Sequence, residues 1–175
     1  MKKPAQLRDH LTRATPALAA SPDKLAIFVE RGNLVSHYGS SLSFEYAYTV
    51  KLVVLDFASH ADAVMVPLLA WVKRYQPDIF ENEDRRTKAI RFEAELLNQG
   101  TVDLSIEVDL TEAVAVKPGP IPNEQSTARR YTITHLQEPE HVGGVGEPTT
   151  IEITIGTGAE AQVLASWSFD PPQDG

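Results

Sequence analysis

The chain contains no cysteine, which excludes disulfide scaffolds, thiolate zinc sites and thiol catalysis, and is typical of proteins that fold in a reducing compartment. Long hydrophobic runs are also missing. The longest, residues 63–72, is about half of what a bilayer span requires. The N-terminal lysines are not followed by an apolar segment, so the sequence predicts no signal peptide. We therefore expect a soluble protein with no membrane partner.

Basic charge is scarce as well. Sixteen Lys and Arg residues stand against 24 Asp and Glu residues, for a net charge of -8, and no Lys or Arg occurs from Gln137 onward. Binding to nucleic acid draws its affinity from the release of counterions by a basic surface. An acidic chain of this kind is not expected to have a specific nucleic-acid partner.

What is present suffices for one folded domain. The chain has 175 residues, 42% of them hydrophobic, within the usual range for a single core. Two helices are predicted. The first spans residues 5–20, with Pro16 as a late kink or stop, and the second begins after a cap by Ser59 or Asp62 and ends near Gln76. Because Pro67 lies inside the second helix, we expect that helix to be kinked or in two parts.

The strand signals are period-2 alternation and short β-branched runs. They predict a strand over residues 25–29 followed by a turn at 31–33, a long strand over 41–56, and a hairpin of 89–96 with 104–110 that has one face on the core and an acidic face outside. Residues 151–155 and 161–169 predict a terminal hairpin with a turn at 156–158. Its second strand has Val163, Ala165, Trp167 and Phe169 on one face.

These elements predict an α+β fold: one domain with a mixed or mostly antiparallel sheet, two helices packed on it, a C-terminal β-hairpin and a Gly/Pro-rich arm. Prolines between residues 115 and 123 and the glycines of 143–146 argue against regular structure there. The expected organisation is an α/β core over 1–116, a loop or arm over 117–149, and the terminal hairpin over 150–170, in the same domain as the core.

No motif for catalysis or metal binding stands out. His60 and Asp62 are close in sequence, but at a helix start they are more readily explained as capping or solvated groups. His135 and His141 flank two glutamates, yet a flexible Gly/Pro context does not preorganise metal ligands. No serine lies in a Gly-x-Ser-x-Gly elbow. The sequence predicts neither an enzyme nor a cofactor or metal site.

One dense basic cluster remains, made of Arg85, Arg86, Lys88 and Arg91. It can dock an acidic partner surface, or it can balance the neighbouring acids Glu81, Glu83 and Asp84. Surface ion pairs are usually weak and incidental, so local balance is the more economical explanation. We nevertheless take these four residues as the candidate interface.

Several separated blocks resemble the tail completion protein R family of contractile-tailed temperate phages. They are SPDKLAIFV at 21–29, SLSFEYAYT at 41–49, VPLLAW at 66–71 followed by QPDI at 76–79, and DLTE at 109–112. The similarity extends from residue 7 to about residue 111 and becomes weak after residue 116.

This resemblance implies a structural protein that caps the head-proximal end of the tail tube and contributes to the head–tail junction. It implies a ring of copies of the chain, with the tail tube protein and neck or head-connector proteins as partners. The implied location is the bacterial host cytoplasm during assembly, then the virion tail or a tail-like particle. No enzymatic activity, cofactor or catalytic residue comes with the family.

Two alternatives remain open. The chain can be a small α/β adaptor or ligand-binding domain without enzymatic activity, with Trp71 and Trp167 near a pocket. A hydrolase is a distant third, because the motifs it requires are missing. The assembly protein is expected to self-associate and to bind tube protein. The adaptor is expected instead to show a melting temperature that shifts when its ligand binds.

Overall fold

The computed structural model describes residues 1–97, 100–119, 130–136, 150–156 and 161–168. The described helices are α1 (Lys3–Ala14), α2 (Pro16–Ala20), α3 (Asp62–Tyr75), α4 (Asp78–Glu81) and α5 (Glu83–Arg86), with a 3-10 turn at Pro22–Lys24. The described strands are β1 (Leu25–Val35), β2 (Phe44–Phe57), β3 (Ile90–Leu96), β4 (Val102–Pro118), β5 (Tyr131–His135), β6 (Ile151–Ile155) and β7 (Gln162–Trp167).

The main sheet has five strands in the order β1-β2-β4-β3, with β5 also paired to β4. Every strand pairing among the described residues is antiparallel. On one edge of β4, β3 covers residues 102–108 and β5 covers residues 114–118. The predicted α+β class, the mostly antiparallel sheet and the hairpin of β3 with β4 are confirmed.

The alternating pattern of β4 sets the two faces of this sheet. Its even-numbered residues from Val102 to Val116 are buried, and the odd-numbered residues between them are half-buried. The buried row packs with the inner face of β2 and with α1 and α3 in one core. Because successive side chains of a strand point to opposite faces, a single strand lines the core on one side and presents Asp103, Glu107 and Asp109 on the other.

Two prolines shape the helical layer. Pro16 ends α1 and begins α2, as its position predicts, because proline is favoured in the first helical turn. Pro67, by contrast, lies inside α3, which continues from Asp62 to Tyr75 as one helix. The expected two-part helix is therefore not found. The predicted caps are also wrong: the N-cap position is Ala61, and the ring Nδ1 of His60 accepts the Asp62 N–H at 3.2 Å.

The terminal hairpin of β6 and β7 forms a third layer, on the side of α1 and α3 away from the main sheet. Ala165 and Trp167 pack there with Ala14. A register shift opposite Ile153 and Thr154 inserts one residue into β7, so Leu164 is buried while Val163 is exposed. The predicted face of alternating residues is thus wrong at Val163, because a bulge reverses the alternation. Phe169 and the turn residues 157–158 lie outside the described residues.

Two further predictions are corrected by strand pairing. Residues 31–33, predicted as a turn, continue β1 opposite residues 47–49 of β2 after a register shift at Glu30. Strand β4 runs to Pro118, beyond the predicted stop, because β5 pairs with it within the predicted arm. The β5 sequence YTITH has three consecutive β-branched residues preceded by a tyrosine, a composition that favours a strand. Residues 120–129 and 137–149 of the arm, including His141 and the glycines 143–146, lie outside the described residues.

Candidate functional site

The candidate basic interface lies at one end of the main sheet. Arg85 and Arg86 form the last turn of α5, Lys88 follows this helix, and Arg91 is the second residue of β3. The Asn82 side chain caps α5 by accepting the N–H groups of residues 84 and 85, which fixes where the arginines emerge. The sequence cluster is therefore also a cluster in space.

The Arg91 side chain lies on the outer face of the sheet and binds acidic residues of β4. Its guanidinium binds Asp109 through Nη1 at 2.9 Å and Nη2 at 3.0 Å, and Nη2 also donates to Glu107 at 3.1 Å. The Arg91 hydrogen bond is the main reason that the pKa of Asp109 lies below its ordinary value. Thr49 donates to the same carboxylate at 2.7 Å. Such bidentate pairing holds β3 in register on β4.

The other three cations differ in their availability. Arg85 is paired with Asp78, and Arg86 lies 4.0 Å from Glu83 one helical turn earlier, with both side chains exposed. Lys88 is exposed and makes no ion pair among the described residues. Exposed pairs contribute about 0–1 kcal/mol. Within this cluster, Arg86 and Lys88 are the cations best placed to meet a partner.

A shallow hollow of about 270 Å³ joins this cluster to the outer face of the sheet. Arg85 and Arg31 line it together with Asp109, Asn33 and Thr111. The hollow is open, and it brings cationic side chains from α5 and β1 to the same surface. Sequence spacing alone could not place Arg31 beside Arg85, because the two lie on different elements of the fold.

A buried polar centre on the opposite face was missed in the sequence. Glu112 lies on the inner side of β4 and is only 4% exposed. Its carboxylate accepts the backbone N–H groups of Lys2 at 2.7 Å and Lys3 at 3.2 Å and the hydroxyl of Tyr48. The Nδ1 atom of His135 lies 3.3 Å from Oε2. Glu112 thus joins the start of α1 to β2 and β5.

The electrostatics of Glu112 follow from these contacts. Burial acts to raise the pKa of Glu112, but the hydrogen bonds from Tyr48 and from the Lys2 and Lys3 backbone lower it more, so the pKa lies below its ordinary value. Burial and the Glu112 carboxylate raise the pKa of the Tyr48 hydroxyl. A carboxylate at the N-terminus of α1 also complements the helix dipole. We interpret the centre as a structural clamp that ties the start of α1 to the sheet.

Gln76 fills the gap that β3 and β5 leave on the edge of β4. Its Oε1 accepts the Thr111 N–H at 2.9 Å and the Lys3 ammonium at 2.8 Å. Its Nε2 donates to Thr111 Oγ1 at 2.9 Å. Gln76 is 1% exposed, so a side chain supplies here the partner that another strand would otherwise provide.

One sequence signal could have identified Glu112. It is the charged residue that interrupts the row of apolar even-numbered positions from residue 104 to residue 116. A charge on the buried side of a strand requires several hydrogen-bond donors. Gln76 carries no comparable signal, because its function depends on a gap between two strands that lie far apart in sequence.

The two tryptophans lie on either side of a groove of about 450 Å³ between α1, α3 and β7. The groove is also lined by Gln6, His10 and Arg13. The rings of His10 and Trp167 meet edge to face with centroids 5.9 Å apart. Neither indole Nε1 has an acceptor among the described residues. Both tryptophans are buried and serve mainly as core.

The histidines considered as metal ligands do not come together as a site in the part of the chain that the structure describes. His60 Nδ1 lies 3.0 Å from the Asp62 carboxylate. His135 faces Glu112, and His141 lies outside the described residues. No group of three or more potential ligands occurs among the described residues, and no helix among them is long and apolar enough to cross a membrane.

Comparison with known proteins adds the family relationship. The family model described as P2 phage tail completion protein R (GpR) matches residues 1–139. The chain is 41% identical over 116 residues to tail completion protein R of Escherichia phage P2, a match that covers 66% of this chain and 75% of that protein. No solved structure matches the chain significantly. The matched region contains both the basic cluster and the Glu112 centre.

Proposed function

This chain belongs to the P2 phage tail completion protein R family and has a structural role in tail completion, and we propose that it acts at the head-proximal end of the tail tube. In this proposal it caps the tube and contributes to the junction between tail and head. The observation that carries the proposal is the family match over residues 1–139, which agrees with the resemblance in the separated sequence blocks.

The proposed partners are further copies of the chain in a ring, the tail tube protein, and neck or head-connector proteins. A capping protein acts by contact, so it needs a rigid body and accessible surfaces. The three-layer packing of sheet, helices and hairpin supplies the rigid body. Assembly takes place in the bacterial host cytoplasm, after which the protein stays in the virion tail or tail-like particle.

The basic cluster is the proposed contact with an acidic partner surface. Arg86 is exposed and makes only a long ion pair, and Lys88 is exposed and makes no ion pair among the described residues. Arg85 and Arg91, by contrast, form ion pairs with acidic residues of the chain itself. Reversing the charge with Arg86→Glu and Lys88→Glu should weaken binding to purified neck or tube protein without altering the melting temperature. Lys117→Glu, an exposed cation on another strand, is the matched control.

The test of the whole proposal is complementation. A phage whose own family gene is inactivated is grown in cells that supply this chain, and the tails are counted and measured by electron microscopy. We expect restored infectious particles, with labelled protein at the head-proximal end of each tail. Label at the opposite end, or normal tails that contain no labelled protein, would contradict the proposal.

Complementation also tests the proposed organisation into a core over 1–116, an arm over 117–149 and a hairpin over 150–170. Deleting residues 143–146 should reduce the yield of complete particles while leaving the melting temperature of the purified chain nearly unchanged. A large fall in melting temperature would assign these residues to the folded core instead.

The groove between the tryptophans favours one alternative function, an adaptor or ligand-binding domain without enzymatic activity. Its volume of about 450 Å³ lies in the range of small-molecule sites. The alternative predicts a monomer or dimer whose melting temperature rises with a small ligand that carries a hydrogen-bond acceptor. Screening such compounds against the wild type and against Gln6→Ala, on the rim of the groove, separates this function from assembly.

A further inference from the structure

Strand β3 has an apolar row that the described residues leave uncovered. Its residues Phe92, Ala94 and Leu96 pair with Ile106, Leu104 and Val102 of β4 and therefore lie on the inner side of the sheet. Their partners are buried, yet Phe92 is 63% exposed and Leu96 is 86% exposed. The sequence alternation predicts burial for this row. Ile90 at the start of β3 packs against the core, whereas Phe92, Ala94 and Leu96 are not part of it.

The opposite edge of the sheet, β1, also exposes apolar side chains. Leu34 pairs with Tyr46 on the inner side and is 67% exposed, and Phe28 pairs with Lys51 on the outer face and is 53% exposed. β1 pairs with β2, β3 pairs with β4, and neither has a second strand partner among the described residues. Open strand edges present unpaired N–H and C=O groups that another chain can bind, and proline, charged side chains and bulges are among the features that protect them. Neither β1 nor β3 contains proline, although β1 has a bulge at Glu30 and β3 carries charged side chains.

The two edges also carry complementary charge. On the outer face of β3, Glu93 and Glu95 are exposed and make no ion pair within the part of the chain that the structure describes. On β1, Arg31 is exposed and likewise makes no ion pair there. Opposite charges on neighbouring strands favour pairing, whereas two copies of β3 side by side would repel. The occupant that fits the β3 edge is therefore a β1 edge.

We infer that β1 of one copy pairs with β3 of the next copy, so that the main sheet continues from subunit to subunit. The contact is heterologous, because each copy contributes a different edge to its two neighbours, and such contacts form a ring when the rotation closes. Main-chain hydrogen bonds supply the attraction, as in other cases of strand addition, and the uncovered apolar row is buried by the neighbouring copy. This inference rests on the proposed ring and names its interface.

Because the chain contains no cysteine, introduced cysteines are its only thiols, and a thiol cross-linker reacts at those positions alone. Phe28→Cys on β1 and Glu93→Cys on β3 place one thiol each on exposed outer-face positions of the two edges. After treatment with a flexible bismaleimide, we expect cross-linked dimers only when the two variants are mixed. A chain carrying both substitutions should give a ladder of species that ends at the size of the closed ring.

Ser105→Cys is the matched control. Ser105 pairs with Val53 of β2 on one side and Glu93 of β3 on the other, so its thiol lies one strand, about 5 Å, farther from a neighbouring copy than that of Glu93→Cys. It should cross-link with Phe28→Cys less efficiently than Glu93→Cys does. Dimers from Phe28→Cys alone would indicate a symmetric contact between two β1 strands and overturn the inference. So would the absence of any cross-link in the mixture at every protein concentration.

A charge swap gives a second, independent readout. Replacing both Glu93 and Glu95 with Arg should lower the mass measured by light scattering, and adding Arg31→Glu to the same chain should restore it. If the mass stays the same in all three proteins, the charge argument is wrong. Circular dichroism and melting curves of each variant separate a lost contact from a lost fold.

The interface and the proposed tail function can fail separately. If the chain restores tails in complementation but the mixed cysteine variants do not cross-link in the purified particles, the inference is overturned and the tail function stands. If cross-links form and the ladder closes while no tails are restored, the interface stands and the proposed function is wrong.

Discussion

Thr15 Oγ1 donates a 2.8 Å hydrogen bond to the backbone carbonyl of Ala63, the carbonyl that faces Pro67 four residues later in α3. Proline has no N–H to offer that carbonyl. Thr15 is fully buried and lies between α1 and α2, so the junction of the first two helices supplies the donor that α3 lacks. This explains why α3 continues through Pro67 as one helix.

Thr15→Val should therefore lower the free energy of unfolding by about 1–3 kcal/mol, the usual consequence of leaving a buried acceptor unsatisfied. The measurement is urea denaturation at pH 7. In a Pro67→Ala background the N–H of residue 67 can bind the Ala63 carbonyl, so Thr15→Val should destabilise that protein less. An equal loss in both backgrounds would show that the hydroxyl acts through packing and not through the missing helical bond.

Glu112→Gln should destabilise the protein by about 1.5–3 kcal/mol at neutral pH, because hydrogen bonds to a charged group are lost. The pKa of Glu112 is lowered in the folded state, so its contribution is present above the unfolded-state pKa and is lost as the pH falls through the folded-state pKa. The stability gap between wild type and variant should therefore shrink below about pH 5.

Urea denaturation between pH 7 and pH 3 measures this gap. Hydrogen bonding to Arg91 also lowers the pKa of Asp109, but that contribution is common to both proteins and cancels in their difference. The exposed Glu95→Gln is the control for removing one acidic side chain. A gap that stays constant with pH would mean that Glu112 stabilises the fold without its charge.

Gln76→Leu should expose the Thr111 amide to solvent exchange, because the Gln76 Oε1 atom is its acceptor. Hydrogen exchange followed by NMR should show faster exchange at Thr111, while the Val108 amide in the same strand keeps its protection. The free energy of unfolding should fall by about 2 kcal/mol or more, since buried polar groups lose their partner. Gln76→Glu retains an acceptor oxygen and should preserve protection at Thr111.

Gly32→Ala should destabilise the pairing of β1 with β2. A Cβ atom at Gly32 would lie 2.9 Å from the Cβ of Tyr48 on the paired strand and 3.3 Å from the Ala47 carbonyl oxygen. Forcing a methyl group into such a contact typically lowers stability by about 1–3 kcal/mol. Thermal and urea denaturation measure the change.

Gly39→Ala is the control for this substitution. No atom lies within 4 Å of a Cβ atom at Gly39, and its φ is not positive, so its stability should change by less than about 0.5 kcal/mol. Equal losses at both glycines would attribute the effect to chain flexibility and not to the close approach of β1 and β2.

The strongest periodic segments were predictable because their pattern is local. Alternation over 41–56 and 104–110 identified the two central strands, and the one-sided apolar row within residues 5–20 identified the helical segment of α1 and α2. The same reasoning failed at residues 31–33, where Arg, Gly and Asn are typical of a turn but are held in β1 by pairing with β2. It also failed at Val163, where one bulge exchanges the two faces of β7.

The amino-acid sequence by itself determined the α+β class, the strand alternation of the core, the absence of thiol chemistry, and the family to which the chain belongs. Tertiary structure alone decided which polar side chains replace missing backbone partners. Thr15 serves Ala63 in α3, and Gln76 serves Thr111 in β4. The period of apolar residues in the sequence shows which side chains face the core, because burial follows the period of the helix or strand. A single hydrogen bond between distant elements leaves no periodic pattern in the sequence, because its two partners meet only when the chain is folded.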